Sequence, residues 1–205
     1  MINLGSLGIT DIKIGTSSVL SGYVGTSLVY PLYTPANSIW GTTSNNYISI
    51  NVQTSDDLVM EWSGQFTAFY NNIIFGWTGS TTSERWSLYF PSTASTNSYR
   101  FRIGESQITT ASSNLPTGVT MVLELGNNYI RKDGVDLVTG ATSTISASRP
   151  FLLNTRSTKT TGLKLYKGGT LVFDGKPAVR NIDGVAGLLD SVSGNFYTNG
   201  TVYYD

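Results

Sequence analysis

The stretch VTMVLELGNNYIRKDGVDLVTG, residues 119 to 140, constrains the fold more than any other part of the chain. An apolar segment turns at Gly126-Asn127-Asn128, resumes as Tyr129-Ile130-Arg131 and turns again at Asp133-Gly134. Asp-Gly between two β-rich segments is the strongest short-range signal for a hairpin, because both residues tolerate a positive φ. The stretch therefore predicts antiparallel strands that follow one another directly.

Short β-rich segments of the same kind recur along the chain between clusters of Gly, Asn, Asp, Ser and Thr. They span residues 47–53, 58–70, 72–77, 85–91, 98–104, 150–154 and 162–177. Ala, Glu, Gln and Lys together number only 21, whereas Ser, Thr and Asn together number 67, so helices are disfavoured. In a chain of 205 residues this spacing predicts an all-β, two-sheet antiparallel jelly-roll sandwich rather than the smaller immunoglobulin sandwich. The aromatic residues expected in its core are Trp62, Phe66, Phe75, Trp77, Trp86 and Phe90.

The segment KIGTSSVLSGYVGTSLVY, residues 13 to 30, contains nearly the same sequence twice. A Pro-containing stretch without strand periodicity follows this repeat. We therefore predict a short β-hairpin module over residues 1–33 and the jelly roll over residues 34–205. An isolated two-stranded hairpin is marginally stable in water, so the module needs a partner surface. We expect docking on copies of itself or on a neighbouring protein through Ile14, Tyr23, Val24 and Tyr30; the alternative is packing on its own sandwich.

The charge and the missing residue types exclude several functions. Thirteen basic and thirteen acidic residues cancel and lie scattered, which argues against a nucleic-acid partner. The chain has no Cys and no His, which excludes the usual zinc sites, thiolate or imidazole nucleophiles and disulfides. No signal peptide and no run near ~18 apolar residues is visible, so we expect a soluble protein without a membrane partner. No cofactor is predicted.

A glycoside hydrolase on such a fold needs two carboxylates about 5 to 10 Å apart. Glu61, Glu84, Glu105 and Glu124 are isolated from one another in sequence, and Asp56-Asp57 reads as a solvated loop pair. We therefore expect no enzymatic activity and assign no catalytic residue.

Loop carboxylates can also bind calcium, and Asp56, Asp57, Asp133 and Asp136 offer oxygens. They lack the dense spacing of a dedicated calcium loop, so we interpret them as turn residues and predict no metal site.

The segment FGWTGSTTSERWSLYF, residues 75 to 90, combines aromatic rings and a guanidinium beside a polar loop. Sugar sites use this combination, which makes Trp77, Arg85, Trp86 and Tyr89 candidate glycan-binding residues. The alternative is that two of these rings belong to the core and the loop is merely solvated.

The last forty or so residues are the most specific part of the sequence. They resemble the closing segment of concanavalin A-like, laminin-G-like jelly-roll domains in bacteriophage and prophage structural proteins. The matching residues are Tyr166, Lys167, Gly169, Pro177, Arg180, Asp183, Gly184, Gly187, Leu188, Asp190, Gly194, Phe196, Tyr197 and Asn199. Leu189 departs from the pattern, in which Tyr is common. From the residues themselves we expect tight turns at Asp183-Gly184 and at 193–195, a buried Phe196, and an Asp190 carboxylate that accepts hydrogen bonds from turn amides.

The doubled opening, which ends in Val29-Tyr30-Pro31, is similar to the repeated phrases that begin virion proteins of tailed phages from gut Bacteroidetes. The two resemblances imply a non-enzymatic virion protein, namely a head fibre, a capsid decoration or a tail-associated component, made in the host bacterial cytoplasm. Its partners would be other virion proteins of the capsid or tail and its own copies, as a dimer or trimer. The alternative function is a carbohydrate-binding adhesion module for glycans of the host surface.

Overall fold

β-strands and tight turns make up the structure, a computed structural model that describes residues 13–14, 17–18, 21–24, 27–42, 47–68, 72–77, 81–91, 98–199 and 202–205. Over residues 13 to 31, and at 72 and 82, it describes the backbone alone. The protein is all-β, with two antiparallel sheets packed as a jelly-roll-like sandwich, as the sequence predicted.

Four short strands come first: β1 (Lys13–Ile14), β2 (Ser17–Ser18), β3 (Ser21–Val24) and β4 (Ser27–Pro31). The next strands are β5 (Tyr33–Pro35), β6 (Ile39–Trp40), β7 (Tyr47–Gln53), β8 (Leu58–Phe66), β9 (Asn72–Trp77), β10 (Trp86–Phe90), β11 (Ser98–Ile103) and β12 (Ser106–Ala111). The last are β13 (Met121–Gly126), β14 (Tyr129–Lys132), β15 (Val135–Thr139), β16 (Pro150–Asn154), β17 (Thr158–Lys167), β18 (Thr170–Arg180), β19 (Val185–Asp190), β20 (Phe196–Tyr197) and β21 (Tyr203–Tyr204). Two single-turn 3-10 helices lie at Thr82–Glu84 and Ser112–Asn114. Among the described residues no helix is long and apolar enough to cross a membrane.

The two sheets of the sandwich differ in size. The smaller has six strands in the order β12-β11-β10-β9-β16-β7. The larger has eleven: its main path is β15-β14-β13-β8-β17-β18-β19-β20, with β5 on β18, β6 on β17 and β21 on β6. Strands that are distant in sequence are neighbours in both sheets, so the register brings together side chains that the sequence separates.

The core lies between the sheets and follows from the alternation of each strand. Strand β8 alternates buried and half-buried residues along its whole length, and β11 does the same, because successive side chains point to opposite faces. Trp62 stacks on Phe66 with ring centroids 5.0 Å apart and lies 5.2 Å from Phe75. The aromatic side chains that were predicted in the core and are buried are Trp62, Phe66, Phe75, Trp86 and Phe90. Trp77 is half-buried at the end of β9.

The first four strands form two hairpins. Strand β1 pairs with β2, in the register Ile14 with Ser17, and β3 pairs with β4, in the register Val24 with Ser27. Each half of the doubled opening is thus a hairpin of its own, and Ser21 and Gly22 lie inside β3. Among the described strands, β5 is the first that pairs with the sandwich, and it lies against β18.

The Asp190 carboxylate organises the turn between β19 and β20. Asp190 is 2% exposed, and its Oδ1 accepts the backbone N–H groups of Asp174 at 2.8 Å and Val192 at 3.1 Å. Its Oδ2 accepts the backbone N–H of Ser193 at 3.2 Å and the hydroxyl of the same residue at 2.5 Å. The prediction that this side chain accepts hydrogen bonds from turn amides is confirmed.

Replacing Asp190 with alanine should lower the free energy of unfolding by about 2 to 4 kcal/mol, because buried amides then lose a charged acceptor. Urea denaturation followed by tryptophan fluorescence measures the change. Asp183→Ala is the matched control, since Asp183 occupies an exposed turn and bonds Arg180 at the surface. Equal losses in the two variants would contradict the role assigned to Asp190.

Phe196 does not lie where the sequence predicted. Its ring is half-buried, stacks on Tyr33 at a centroid distance of 5.1 Å, and has the Arg180 guanidinium 5.4 Å from its centroid. The ring is therefore less buried than expected, because β20 pairs at the end of the larger sheet. Leu188 on β19 is fully buried, as are Leu165 and Phe173 earlier in the closing segment.

Candidate functional site

The four residues predicted to bind a glycan do not share one surface. The Trp86 side chain is 0% exposed and packs edge-on against Phe101, with centroids 5.1 Å apart, and against Phe151 at 5.7 Å. Trp86 therefore belongs to the core and presents no ring to a ligand. Trp77 is its register partner on β9. Of the four predicted glycan-binding residues, Arg85 and Tyr89 therefore remain as candidates on the face of the sheet that points away from the core.

Tyr89 lies on the outer face of the six-stranded sheet. Along β10 the buried Trp86, Leu88 and Phe90 alternate with Ser87 and Tyr89, which therefore point away from the core. In the register with β11, Ser87 is opposite Arg102 and Tyr89 is opposite Arg100. On the next strand, Gln107 is opposite Arg102. Arg85 directly precedes β10, and its charge acts on Arg102.

We call the group of Arg85, Tyr89, Arg100, Arg102 and Gln107 the arginine face. The Arg102 guanidinium lies over the Tyr89 ring, 4.8 Å from its centroid, and its Nε donates to Gln107 Oε1 at 2.7 Å. The Tyr89 hydroxyl donates to the same oxygen at 3.4 Å. Gln107 Nε2 in turn donates to Thr109 Oγ1 at 3.4 Å. These contacts fix the ring and one guanidinium relative to each other on a rigid sheet.

The guanidinium groups of the arginine face are not neutralised by ion pairs within the part of the chain that the structure describes, since no carboxylate there forms an ion pair with Arg85, Arg100 or Arg102. Partial burial lowers the pKa of Arg102, and the charges of Arg85 and Arg100 lower it further. Glu84, one residue before Arg85, is engaged instead by Arg149 at 3.4 Å. Such a face is suited to an anionic ligand.

Two buried polar atoms lie within this region without a partner. Ser87 is 0% exposed, and neither its Oγ nor the Nε of Arg85 has a hydrogen-bond partner among the described residues. Buried polar groups are rarely left unpaired, because an unmade hydrogen bond in the interior costs free energy. Gly76, opposite Ser87 on β9, adds no side chain, so a floor of small residues lies beside the arginines.

Arg100, Arg102 and Gln107 were not predicted as site residues from the sequence. The signal was present in SYRFRIG, residues 98 to 104, where two arginines alternate with Tyr99, Phe101 and Ile103. The period of two places both arginines on one outer face once the other residues are assigned to the core.

The structure brings together two glutamates that lie far apart in sequence. Glu61 on β8 and Glu124 on β13 are register partners, and both lie on the outer face of the eleven-stranded sheet. Glu61 Oε1 accepts Lys164 Nζ at 2.8 Å. Glu124 Oε1 accepts an Arg131 guanidinium nitrogen at 2.9 Å and the Tyr129 hydroxyl at 2.5 Å. Like charges directly opposite destabilise a sheet, and here each is neutralised by its own cation.

These pairs extend into a row of charges across the larger sheet. Asp136 accepts from Arg131 Nε at 2.7 Å, and Asp174 is the register partner of Lys164. The hydrogen bond to Glu61 raises the pKa of Lys164, while burial and Glu124 raise the pKa of Tyr129. We interpret the row as a structural ladder in which the two adjacent glutamates are each flanked by a cation.

Three of the aspartates considered for calcium, Asp56, Asp133 and Asp136, are engaged by other groups of the protein. Asp56 Oδ1 accepts the backbone N–H of Ile145 at 2.6 Å, and Asp133 Oδ1 accepts that of Val122 at 2.8 Å. Asp136 is paired with Arg131. Among the described residues no three acidic side chains come together as a candidate metal site.

The residues predicted to dock the N-terminal module are Ile14, Tyr23, Val24 and Tyr30. Their backbones lie in β1, β3 and β4, and the predicted burial of their side chains lies outside the described residues. That burial stays a prediction.

Comparison with models of known protein families, with curated proteins and with solved structures found no match. The function is therefore argued from the sequence and from the geometry described above.

Proposed function

We propose that the protein is a non-enzymatic structural component of a phage virion that displays the jelly-roll-like sandwich on the particle surface. It would be a head fibre, a capsid decoration or a tail-associated protein. The resemblances of the closing segment and of the doubled opening support this assignment. The observation that carries it is the pairing of β1 with β2 and of β3 with β4, in sheets separate from those of the sandwich.

In this proposal the N-terminal hairpins attach the protein to the particle, and the sandwich is the part that is displayed. A two-stranded hairpin buries little and gains stability from an added strand or a packed surface. The module would therefore dock onto other virion proteins or onto copies of itself. The sandwich, with its own aromatic core, would stay folded at the outside of the particle.

Deletion of residues 1–31 tests this division. Tyr33 is kept, because it pairs with Arg180 and stacks on Phe196. We expect the shortened protein to keep the far-ultraviolet circular dichroism spectrum and cooperative melting of the full chain, and to be absent from purified particles when both are expressed during infection. Particles that incorporate both proteins equally would contradict the docking role, as would loss of cooperative melting in the shortened protein.

Carbohydrate binding is a second candidate, which the arginine face favours. Tyr89 and Arg85 were candidates from the sequence, and the structure adds Arg100, Arg102 and Gln107 beside Tyr89. An aromatic ring with guanidinium and amide groups is suited to sugar hydroxyl and acidic groups. A glycan array probed with the full-length protein and with Tyr89→Ala tests it. We expect signals for a subset of glycans that fall in the variant.

A further inference from the structure

We propose that the arginine face is a binding site for anionic polysaccharides, whose sugars carry carboxylate or sulfate groups. The inference rests on the second candidate function, carbohydrate binding, and narrows it to a chemical class of ligand. It also assigns the contact to Arg100 and Arg102 rather than to the tryptophans of the neighbouring strands.

The first support is the orientation of the Arg102 guanidinium. Its Nε is occupied by Gln107, and its Cζ lies 4.8 Å from the Tyr89 ring centroid. The two terminal nitrogens have no partner among the described residues. A guanidinium held in this way presents a planar fork, the geometry that binds a carboxylate or sulfate through two parallel hydrogen bonds.

The second support is the spacing of the charges. Arg100 and Arg102 are two residues apart on β11 and point to the same face, roughly 7 Å from each other along the strand. Arg85 adds a third positive charge close enough to lower the pKa of Arg102. Three like charges within one Debye length repel one another, and a bound polyanion removes that repulsion.

The third support is the buried Ser87 hydroxyl. It lies on the same outer face, opposite Arg102, and has no partner among the described residues. An unpaired buried hydroxyl costs free energy, and an anion that paired with it would remove that cost.

A polysaccharide fits these observations better than a nucleic acid does. The chain has a net charge of zero, so the positive charge is local and does not form a long stripe that could follow a phosphate backbone. The amide of Gln107 and the hydroxyl of Thr109 border the arginines and suit sugar hydroxyl groups. Affinity at one site would be low, and many copies on a particle would raise it by avidity.

The test measures binding of the full-length protein to four immobilised polymers by biolayer interferometry. They are polygalacturonate, which carries carboxylates, dextran sulfate, neutral dextran and a single-stranded DNA oligonucleotide. We expect binding to polygalacturonate, dextran sulfate or both, weakened by raising sodium chloride from about 50 to 200 mM, and none to dextran. The first two polymers distinguish carboxylate from sulfate recognition.

The variants Arg100→Gln and Arg102→Gln test the assignment to this face. Each should weaken binding at least about tenfold, the loss expected for one charge-assisted hydrogen bond. Arg102→Lys keeps the charge without the planar fork and should recover only part of the affinity. The matched control is Arg131→Gln, which removes one positive charge from the opposite sheet and should leave binding within about twofold. Thermal melting of each variant verifies that it is folded.

Several outcomes would overturn the inference. An equal loss in Arg131→Gln would indicate a general charge effect, and tighter Arg102-dependent binding to the oligonucleotide would indicate a nucleic-acid site. Binding to dextran as tight as to the anionic polymers would be consistent with carbohydrate binding. It would contradict the proposed preference for anionic polysaccharides. Absence of binding to all four would also overturn it, while incorporation into particles would be tested separately by the deletion of residues 1–31.

Discussion

Replacing Trp62 with alanine should lower the free energy of unfolding by about 3 to 5 kcal/mol, the largest loss that we expect from a single side chain. The indole is 0% exposed and lies against Phe66 and Phe75, at centroid distances of 5.0 and 5.2 Å. Its Nε1 donates to Thr160 Oγ1 at 2.9 Å, so truncation also leaves a buried hydroxyl with one partner fewer. Urea denaturation followed by circular dichroism measures the change.

Trp40→Ala is the control for that experiment. Trp40 is half-buried and stacks on Tyr203 at 6.3 Å, at the margin of the larger sheet, so its loss should cost about 1 kcal/mol. A similar cost for both tryptophans would show that the Trp62 cluster is not the centre of the core.

Gly76→Ala should destabilise the sandwich by about 3 kcal/mol or more. Gly76 has a φ of +84°, and a Cβ atom there would lie 1.9 Å from the Trp86 carbonyl oxygen and 2.7 Å from its ring. The cost adds backbone strain, about 1 to 3 kcal/mol, to the displacement of β10 from β9. Thermal and urea denaturation of the purified variant measure it.

Gly169→Ala separates the two contributions. Gly169 has a φ of +78° in the turn between β17 and β18, and a Cβ atom there would meet nothing within 4 Å. Because the new Cβ atom has no clash there, only backbone strain contributes. The free energy of unfolding should therefore fall by about 1 kcal/mol. If Gly76→Ala costs no more than this control, the contact with Trp86 has no energetic weight.

The parts of the fold that were predictable from the sequence depend on local signals. The segment 119–140 forms β13, β14 and β15, and its turn has positive φ values at Asp133, 49°, and Gly134, 81°. The role of Asp190 was also predictable, because its turn amides lie within three residues of it. The alternation of apolar and polar residues and the choice of turn-forming residues each depend on a few neighbouring positions. Both can therefore be recognised in the sequence itself.

The candidate site was predictable only in part, because it depends on strand register. Arg102 meets Tyr89 and Gln107 through the pairing of three strands, and no local pattern states which strands are neighbours. The same holds for Glu61 and Glu124, which are isolated in sequence and adjacent in the sheet. Aromatic composition alone also does not tell that Trp86 lies in the core and Tyr89 on the surface. Their positions on opposite faces of the same strand do distinguish them.

The sandwich also begins and ends at one place. The Asn37 N–H donates to the Asp205 carbonyl at 2.6 Å, the Ser38 hydroxyl donates to the Asp205 carboxylate at 2.6 Å, and β21 pairs with β6. Domains whose ends meet tolerate circular permutation and insertion into a loop of another chain. Residues 33 to 205 could therefore be transplanted as one cassette into a carrier protein. These ends belong to the eleven-stranded sheet, so the arginine face, on the other sheet, would point away from the graft.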